Sequence, residues 1–241
     1  MNTYKNIFRD KKRVLVVTAH PDDADVFFGG TISRLREDKK DVFVLVMTNG
    51  ARGSRESVIS EDELANKRIE EQRRALKEYG VPANHFNTLN YKDGEAQNSM
   101  ELIGNIAYVV RKFKPDIVLT HNPNNYFSKS VTDDYYHVNH KDHRVCGIST
   151  LDAVYPFSRD RSFFIEHAKE GILPHTSLAM LFTAGEEANT EIDITGVIDK
   201  KKNGLARHKS QFDKETVERI LEGGKVGEKN IERGFYITLR G

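Results

Sequence analysis

The chain has 241 residues, enough for one large domain at roughly 150 residues per domain, and with 38% hydrophobic and 30% charged residues it is composed as a globular protein, neither disordered nor fibrous. Lys and Arg number 37 against 36 Asp and Glu; the net charge of +1 excludes a global field of the kind that draws proteins to nucleic acid or anionic lipid. The single cysteine, Cys146, excludes an intrachain disulfide framework and fits a reducing compartment.

Met1 to Arg13 is basic and runs straight into a strand-like segment, without the apolar stretch and small-residue cleavage site of a signal peptide. Val14 to Thr18 is a continuous apolar run rich in β-branched residues, the pattern of a strand buried on both faces of a parallel sheet. Gly29 to Asp38 reads as a helix, Val42 to Thr48 as a second buried strand, and Glu61 to Tyr79 as a long helix closed by Gly80 and Pro82. Phe86 to Tyr91 is a weaker strand, Met100 to Phe113 an amphipathic helix, and Asp116 to Thr120 a third strong strand. Asn122 to Asn139 is a long polar loop, of a length that is usually functional or disordered. Helical sequence resumes near Asp142, followed by strands at Leu178 to Thr183 and Glu191 to Ile194, a helix from Gly196 to about Lys209, and a strand at Phe235 to Leu239. The alternation calls for right-handed crossovers and an α/β architecture: a Rossmann-like, mostly parallel sheet covered by helices on both faces, as one domain over residues 1–241. The longest apolar run, Val42 to Met47, is too short to span a bilayer, so we expect a cytoplasmic protein with no membrane span and no nucleic-acid partner.

Two polar clusters stand out. The first, Ala19-His20-Pro21-Asp22-Asp23, follows the first buried strand, and ligands of open α/β sheets bind outside the carboxyl ends of strands. An imidazole and two carboxylates within four residues form a dense group of metal ligands. An Asp at this place also serves as a helix N-cap, but a cap requires neither His20 nor a second Asp. The second cluster, His140-Lys141-Asp142-His143-Arg144, closes the long loop and opens a helix; on its own it reads equally as an exposed polar helix start. Together, His20, Asp23 and one of the two later histidines make a three-ligand set, and three protein ligands plus water is the arrangement of a catalytic zinc.

With Gly29-Gly30-Thr31 after the first cluster, these two segments resemble the signature motifs of the PIG-L/LmbE family of zinc-dependent de-N-acetylases. The similarity continues through Arg68-x-Glu70-Glu71, Tyr91-x-Asp93-Gly94, Pro115-Asp116, Asp193-Ile194-Thr195 and His208-Lys209-Ser210-Gln211, from Val14 to Gln211. Two positions depart: Ala24 replaces a common glutamate after the Asp pair, and Lys141 replaces a usual proline. The resemblance implies an LmbE-like fold and one Zn2+ per chain, or another divalent metal, held by His20, Asp23 and His143. Asp22 is then the general base. His140 faces the oxyanion or protonates the leaving amine, with Asp142 holding its imidazole and favouring the charged form. Arg68 and Asp93 match positions that contact a sugar, and the implied partner is an N-acetylated amino-sugar conjugate; a homo-oligomer is left open. Outside the resemblance, Arg68 reads as a solvated helix charge and Asp93 as a turn residue. His121 reads as a supporting residue behind the ligands, His208 as structural near a helix end, Phe27-Phe28 as core, and Arg52, Gly53, Ser54 and Arg55 as a rim for a polar substrate.

Three rival functions fit parts of the pattern. A nucleotide-binding Rossmann module is disfavoured because Asp22, Asp23 and Asp25 stand where a glycine-rich turn would hold pyrophosphate. A 2-His-1-carboxylate iron oxygenase has the ligand types, but a second, non-ligating Asp suits hydrolysis better. A metal-binding protein without turnover is the remaining alternative, and Asp22 argues against it.

Overall fold

A computed structural model describes residues 1–53, 59–129 and 136–240 of the chain. Its elements in order are β1 (Asn2–Thr3), α1 (Tyr4–Phe8), β2 (Arg13–Thr18), α2 (Asp23–Glu37), β3 (Asp41–Thr48), α3 (Glu61–Glu78), β4 (Phe86–Tyr91), α4 (Met100–Phe113) and β5 (Ile117–Thr120). There follow β6 (Phe127–Lys129), β7 (Tyr136–Val138), α5 (Lys141–Asp152) with a π turn over Ala153–Phe157, α6 (Ile165–Lys169), β8 (Ala179–Thr183), β9 (Thr190–Asp193), α7 (Ile198–Leu205), α8 (Lys214–Gly223), β10 (Lys225–Val226) and β11 (Lys229–Thr238). The main sheet runs β1-β9-β11-β8-β5-β2-β3-β4. Its β8-β5-β2-β3-β4 half is parallel throughout, and β11 pairs antiparallel with both β8 and β9.

The central strands bury both faces, so their side chains divide between two cores with the period of two that a pleated strand imposes. Val14 and Val16 of β2 and Val42, Val44 and Val46 of β3 join Phe28, Ile32 and Leu35 of α2 and Leu76 beneath one face. Leu15, Val17, Leu45 and Met47 meet Leu102, Ile106 and Val110 of α4 and Cys146 of α5 on the other. The predicted α/β layering is therefore the observed one.

Several boundaries differ from the expectation. The first crossover helix begins at Asp23, six residues before Gly29, because the positive end of a helix tolerates the acidic first turn of Asp23 and Asp25. The helix expected over Gly196 to Lys209 is a 3-10 turn at Thr195–Val197 followed by α7, which stops at Leu205. Helix α8, the N-terminal β1-α1 pair and the short hairpin β6-β7 inside the polar loop were not expected. No helix among the described residues is long and apolar enough to cross a membrane.

β2 pairs with β3 on one side and β5 on the other, so the crossovers leave in opposite directions and open a crevice at the carboxyl ends of β2 and β5. His20 follows the first of these strands and His121 the second.

Candidate active site

The end of β2 is pinned where Ala19 O accepts from both the N–H and the Oγ1 of Thr48, 2.8 and 2.9 Å. The chain then turns through His20 to Asp22, whose φ of 138° lies where side chains other than glycine are strained by about 1–3 kcal/mol. Asp22 occupies the N-cap position of α2, yet its side chain caps nothing. Its Oδ2 instead accepts from Arg68 Nη2 at 2.9 Å, and its N–H donates to Gln72 Oε1 at 2.9 Å. Arg68 and Gln72 are one helical turn apart on α3, so a single face of that helix holds both the carboxylate and the main chain of Asp22.

Asp23, one residue on, is the hub of the imidazoles. Its Oδ2 accepts the His20 N–H at 2.7 Å and lies 3.3 Å from His20 Nδ1 and 3.2 Å from His121 Nε2. Its Oδ1 lies 3.1 Å from His143 Nε2. On the far side of His20, Nε2 has Asp93 Oδ1 at 3.4 Å and Asp142 Oδ2 at 3.5 Å.

His143 reaches Asp23 because α5 starts beside the crevice and packs tightly on the end of β5. A Cβ on Gly147 would lie 2.5 Å from His121 O, so only glycine permits this approach. The tautomer of His143 follows from its neighbours. Asn139 Nδ2 donates to Asn125 O at 2.7 Å, which fixes that amide and turns its Oδ1 to His143 Nδ1 at 2.9 Å. Nδ1 therefore carries a proton, and Nε2 is the ring atom left to face Asp23 Oδ1. Two acceptors at 3.1 Å repel unless a proton or a cation stands between them. His20 Nε2 makes no hydrogen bond among the described residues, but the Asp93 and Asp142 carboxylates at 3.4 and 3.5 Å favour a proton on it and leave Nδ1 toward Asp23, the arrangement in which carboxylates orient a metal-binding histidine.

His20, Asp23 and His143 thus offer one donor each, with all three atoms within 4.8 Å of one another. Two imidazoles and a carboxylate suit zinc or another divalent ion. A second set, His20, Asp93 and His140, shares His20. There the third donor, His140, is exposed, whereas His143 is half-buried, so the first set is the more enclosed cation site.

The electrostatics agree. Asp22, Asp23, Asp93 and Asp142 are all buried around His20, with the Arg68 guanidinium against Asp22. Burial works against a charged His20, but Asp142, Asp23 and Asp93 outweigh it and raise its pKa well above 6.5; whatever draws a proton there draws a cation. Burial likewise opposes the Asp23 carboxylate, and His143 and His121 hold it well below the usual range. At Asp22 burial prevails over Arg68 and the pKa is raised. Burial and the neighbouring His143 pull His121 down to about 4, so it is a neutral wall, stacked on His143 with ring centroids 4.2 Å apart.

The expected site residues meet around one cavity of about 1080 Å³, lined by His20, Asp22, Asp23, Arg68, Asp93, His140 and His143. Asp142 lies fully buried behind His20. Three details differ from the expected roles. The Asp142 carboxylate accepts the Gly94 N–H at 2.7 Å and faces His20, whereas its main-chain N–H, not its carboxylate, fixes the tautomer of His140. Burial and His20 lower the pKa of His140, so its charged form is disfavoured. Arg68 is 3% exposed, which rules out a solvated helix charge, and its guanidinium is directed at Asp22, Pro21 O and Gly50 O. Phe28 is core as expected, and Phe27 packs its ring edge-on to His121. Of the expected rim, Arg52 and Gly53 line the cavity, and Ser54 and Arg55 lie outside the described residues. Gln72 and Asn139 were not singled out in the sequence; for Gln72 the signal was its spacing of four from Arg68.

Residues 15–154 match the family described as PIG-L, GlcNAc-PI de-N-acetylase. The chain is 33% identical over 205 residues to the diacetylchitobiose deacetylase of Thermococcus kodakarensis, covering 85% of this chain and 72% of that protein. It is 26% identical over 249 residues to the 1D-myo-inositol 2-acetamido-2-deoxy-alpha-D-glucopyranoside deacetylase of Rhodococcus erythropolis, covering 83% of this chain and 81% of that one. Among solved structures, the N,N'-diacetylchitobiose deacetylase of Pyrococcus horikoshii with its inhibitor MPG superposes with a TM-score of 0.85 at 27% identity, over 97% of this chain and 86% of that chain.

Proposed function

This chain belongs to the PIG-L de-N-acetylase family, and on that footing we propose that it is a zinc-dependent hydrolase that removes the acetyl group from an N-acetylglucosamine unit of a larger conjugate, releasing acetate and a free amine. The observation that carries the reading is the pairing of a three-donor set with a carboxylate, Asp22, that is not one of the donors and is anchored from behind. A divalent cation held by His20, Asp23 and His143 supplies Lewis acidity toward the amide carbonyl and an acidified water.

The remaining roles follow from the side chains themselves. Asp22 takes the proton of the attacking water: Oδ2 is tied to Arg68, Oδ1 has no hydrogen bond among the described residues, and the residue lines the cavity. The same carboxyl then delivers that proton to the leaving amine. His140 stands edge-on to His20, ring centroids 4.7 Å apart. With Nδ1 occupied by the Asp142 N–H, the neutral ring presents Nε2–H as a donor to the developing oxyanion. Asp142 acts on His20 as the group that keeps its Nδ1 free for the cation. Asp93, at the cavity edge between His20 and the Arg52 N–H, is placed to accept from sugar hydroxyls. Arg68 serves the base before it serves the sugar.

The cavity continues past Arg68 to Lys209, Ser210, Gln211, Asp213 and Thr216, a polar outer wall with room for the rest of an N-acetylated amino-sugar conjugate. The test is amine release by the zinc-loaded protein from diacetylchitobiose and from an N-acetylglucosaminyl inositol, wild type against Asp22→Asn. We expect the variant to keep its metal and to lose turnover by the order of 10² to 10⁴ typical of a general base. No release of amine by the wild type from either conjugate overturns the activity, and near-normal turnover in the variant overturns the role of Asp22.

A further inference from the structure

Directly behind Asp22 lies a chain of side chains that touches neither the cavity nor the metal donors. Gln72, Asp25 and His208 are all fully buried, and they come from α3, α2 and the segment after α7. Gln72 Oε1 accepts the Asp22 N–H at 2.9 Å, and Gln72 Nε2 donates to Asp25 Oδ2 at 2.6 Å. The same Asp25 oxygen faces His208 Nε2 at 3.1 Å. The Gln72 amide has one workable orientation. Reversed, it would set its NH2 against the Asp22 N–H and its oxygen against the Asp25 carboxylate, two contacts between like partners.

We propose that Gln72, held by Asp25 and His208, is a positioning residue for Asp22. The inference rests on the reading of Asp22 as general base. Asp22 has a backbone conformation, φ 138°, that an aspartate does not adopt unaided. Its side chain does not cap α2, and the main chain is held at this point by the Gln72 acceptor. Arg68, four residues before Gln72, grips the carboxylate of the same Asp22. Fixing a residue at its N–H and at its carboxylate fixes the direction of the side chain between them, which is what a base aimed at one water requires. The far end of the chain is itself tied to α3. Glu71 accepts from Ser210 N and Oγ, 3.0 and 2.6 Å, and so anchors the segment that carries His208. One helix therefore sets both the grip on Asp22 and the backing of that grip.

The experiment is a double-mutant cycle on zinc-loaded protein with diacetylchitobiose, using Gln72→Met, Asp22→Asn and the pair. Gln72→Met keeps the volume and removes both hydrogen bonds. The expected result is a kcat about 10- to 100-fold lower, KM within about twofold of wild type, and unchanged zinc content. In the Asp22→Asn background Gln72→Met is expected to have no further effect on the residual kcat, because there is no base left to misplace. An equal fold-loss in both backgrounds, or a wild-type kcat in Gln72→Met, overturns the proposal. A wild-type kcat in Asp22→Asn alone removes its premise and is a different result from either. If Gln72→Met does not fold, His208→Leu carries the same cycle one step further back, with a smaller kcat loss in the same direction expected and an equal loss in both backgrounds again overturning it.

Discussion

The two sides of the crevice are built differently. On the β2 side, Asp22, Asp23, Asp25, Arg68, Gln72 and His208 are all buried and are bonded across α2, α3 and the segment after α7. On the β5 side, His140 is exposed and His143 half-buried, and their placement runs through Asn139, tied to Asn125 O and, by its N–H, to Tyr126 O at 2.9 Å. The neighbouring hairpin leaves Tyr126, Phe127, Tyr136 and Val138 between 57% and 75% exposed. Under the proposed mechanism, the group that must point at one water is embedded in a packed, cross-linked wall. The groups proposed to meet the carbonyl oxygen and complete the cation site stand on a wall with fewer supports. Damage to the first side is expected in kcat, and damage to the second in metal affinity.

The comparison is tested most severely by His143→Ala, which removes a donor outright. Zinc and turnover should be lost together, measured as zinc per chain after loading and dialysis; full occupancy would take His143 out of the donor set. Next comes Arg68→Ala, which leaves Asp22 buried without its cation. Because the guanidinium is spent on Asp22 and two carbonyls, kcat should fall by about 10²-fold on an N-acetylglucosamine conjugate and on a small acetamide without the sugar alike. A loss confined to the sugar substrate would make Arg68 a sugar contact. The smallest effect is expected from Asn139→Ala, which frees the His143 ring to turn. Zinc affinity should weaken about 10- to 100-fold, as for other groups that orient a ligand, read by competition with a chelator, with kcat at saturating zinc near wild type. A kcat defect that saturating zinc does not repair would contradict the division between the two sides.

The strands of the central sheet were legible because a strand buried on both faces must be apolar along its buried length, as β2 is over residues 14–17 and β3 over residues 42–47. Helix α8 was missed although its signals are in the chain: Asp213 caps its start by accepting the Thr216 N–H at 2.7 Å, and Val217, Ile220 and Leu221 recur at helical spacing. The start of α2 was misplaced because Asp22 and Asp23 read as ligands in a turn, whereas Asp23 is at once a candidate metal donor and the first residue of the helix. Strand β7 is exposed at all three of its residues and so has no buried face to write a period of two into the chain.

The sequence by itself determined the order of buried strands and the identities of His20, Asp22, Asp23, His140 and His143, because local chain geometry keeps residues within a few positions together whatever the rest of the fold does. Only the tertiary structure decided which group answers which. Arg68 meets Asp22 across 46 residues, and Asp142 lies against His20 after a separation more than twice as long. Gln72 meets the Asp22 main chain across 50, and His208 meets Asp25 across 183. Those pairings depend on sheet order and on the faces that α3 and α5 turn inward. No spacing along the chain encodes them, since each depends on the packing of elements that are remote in sequence and adjacent only once both cores have closed.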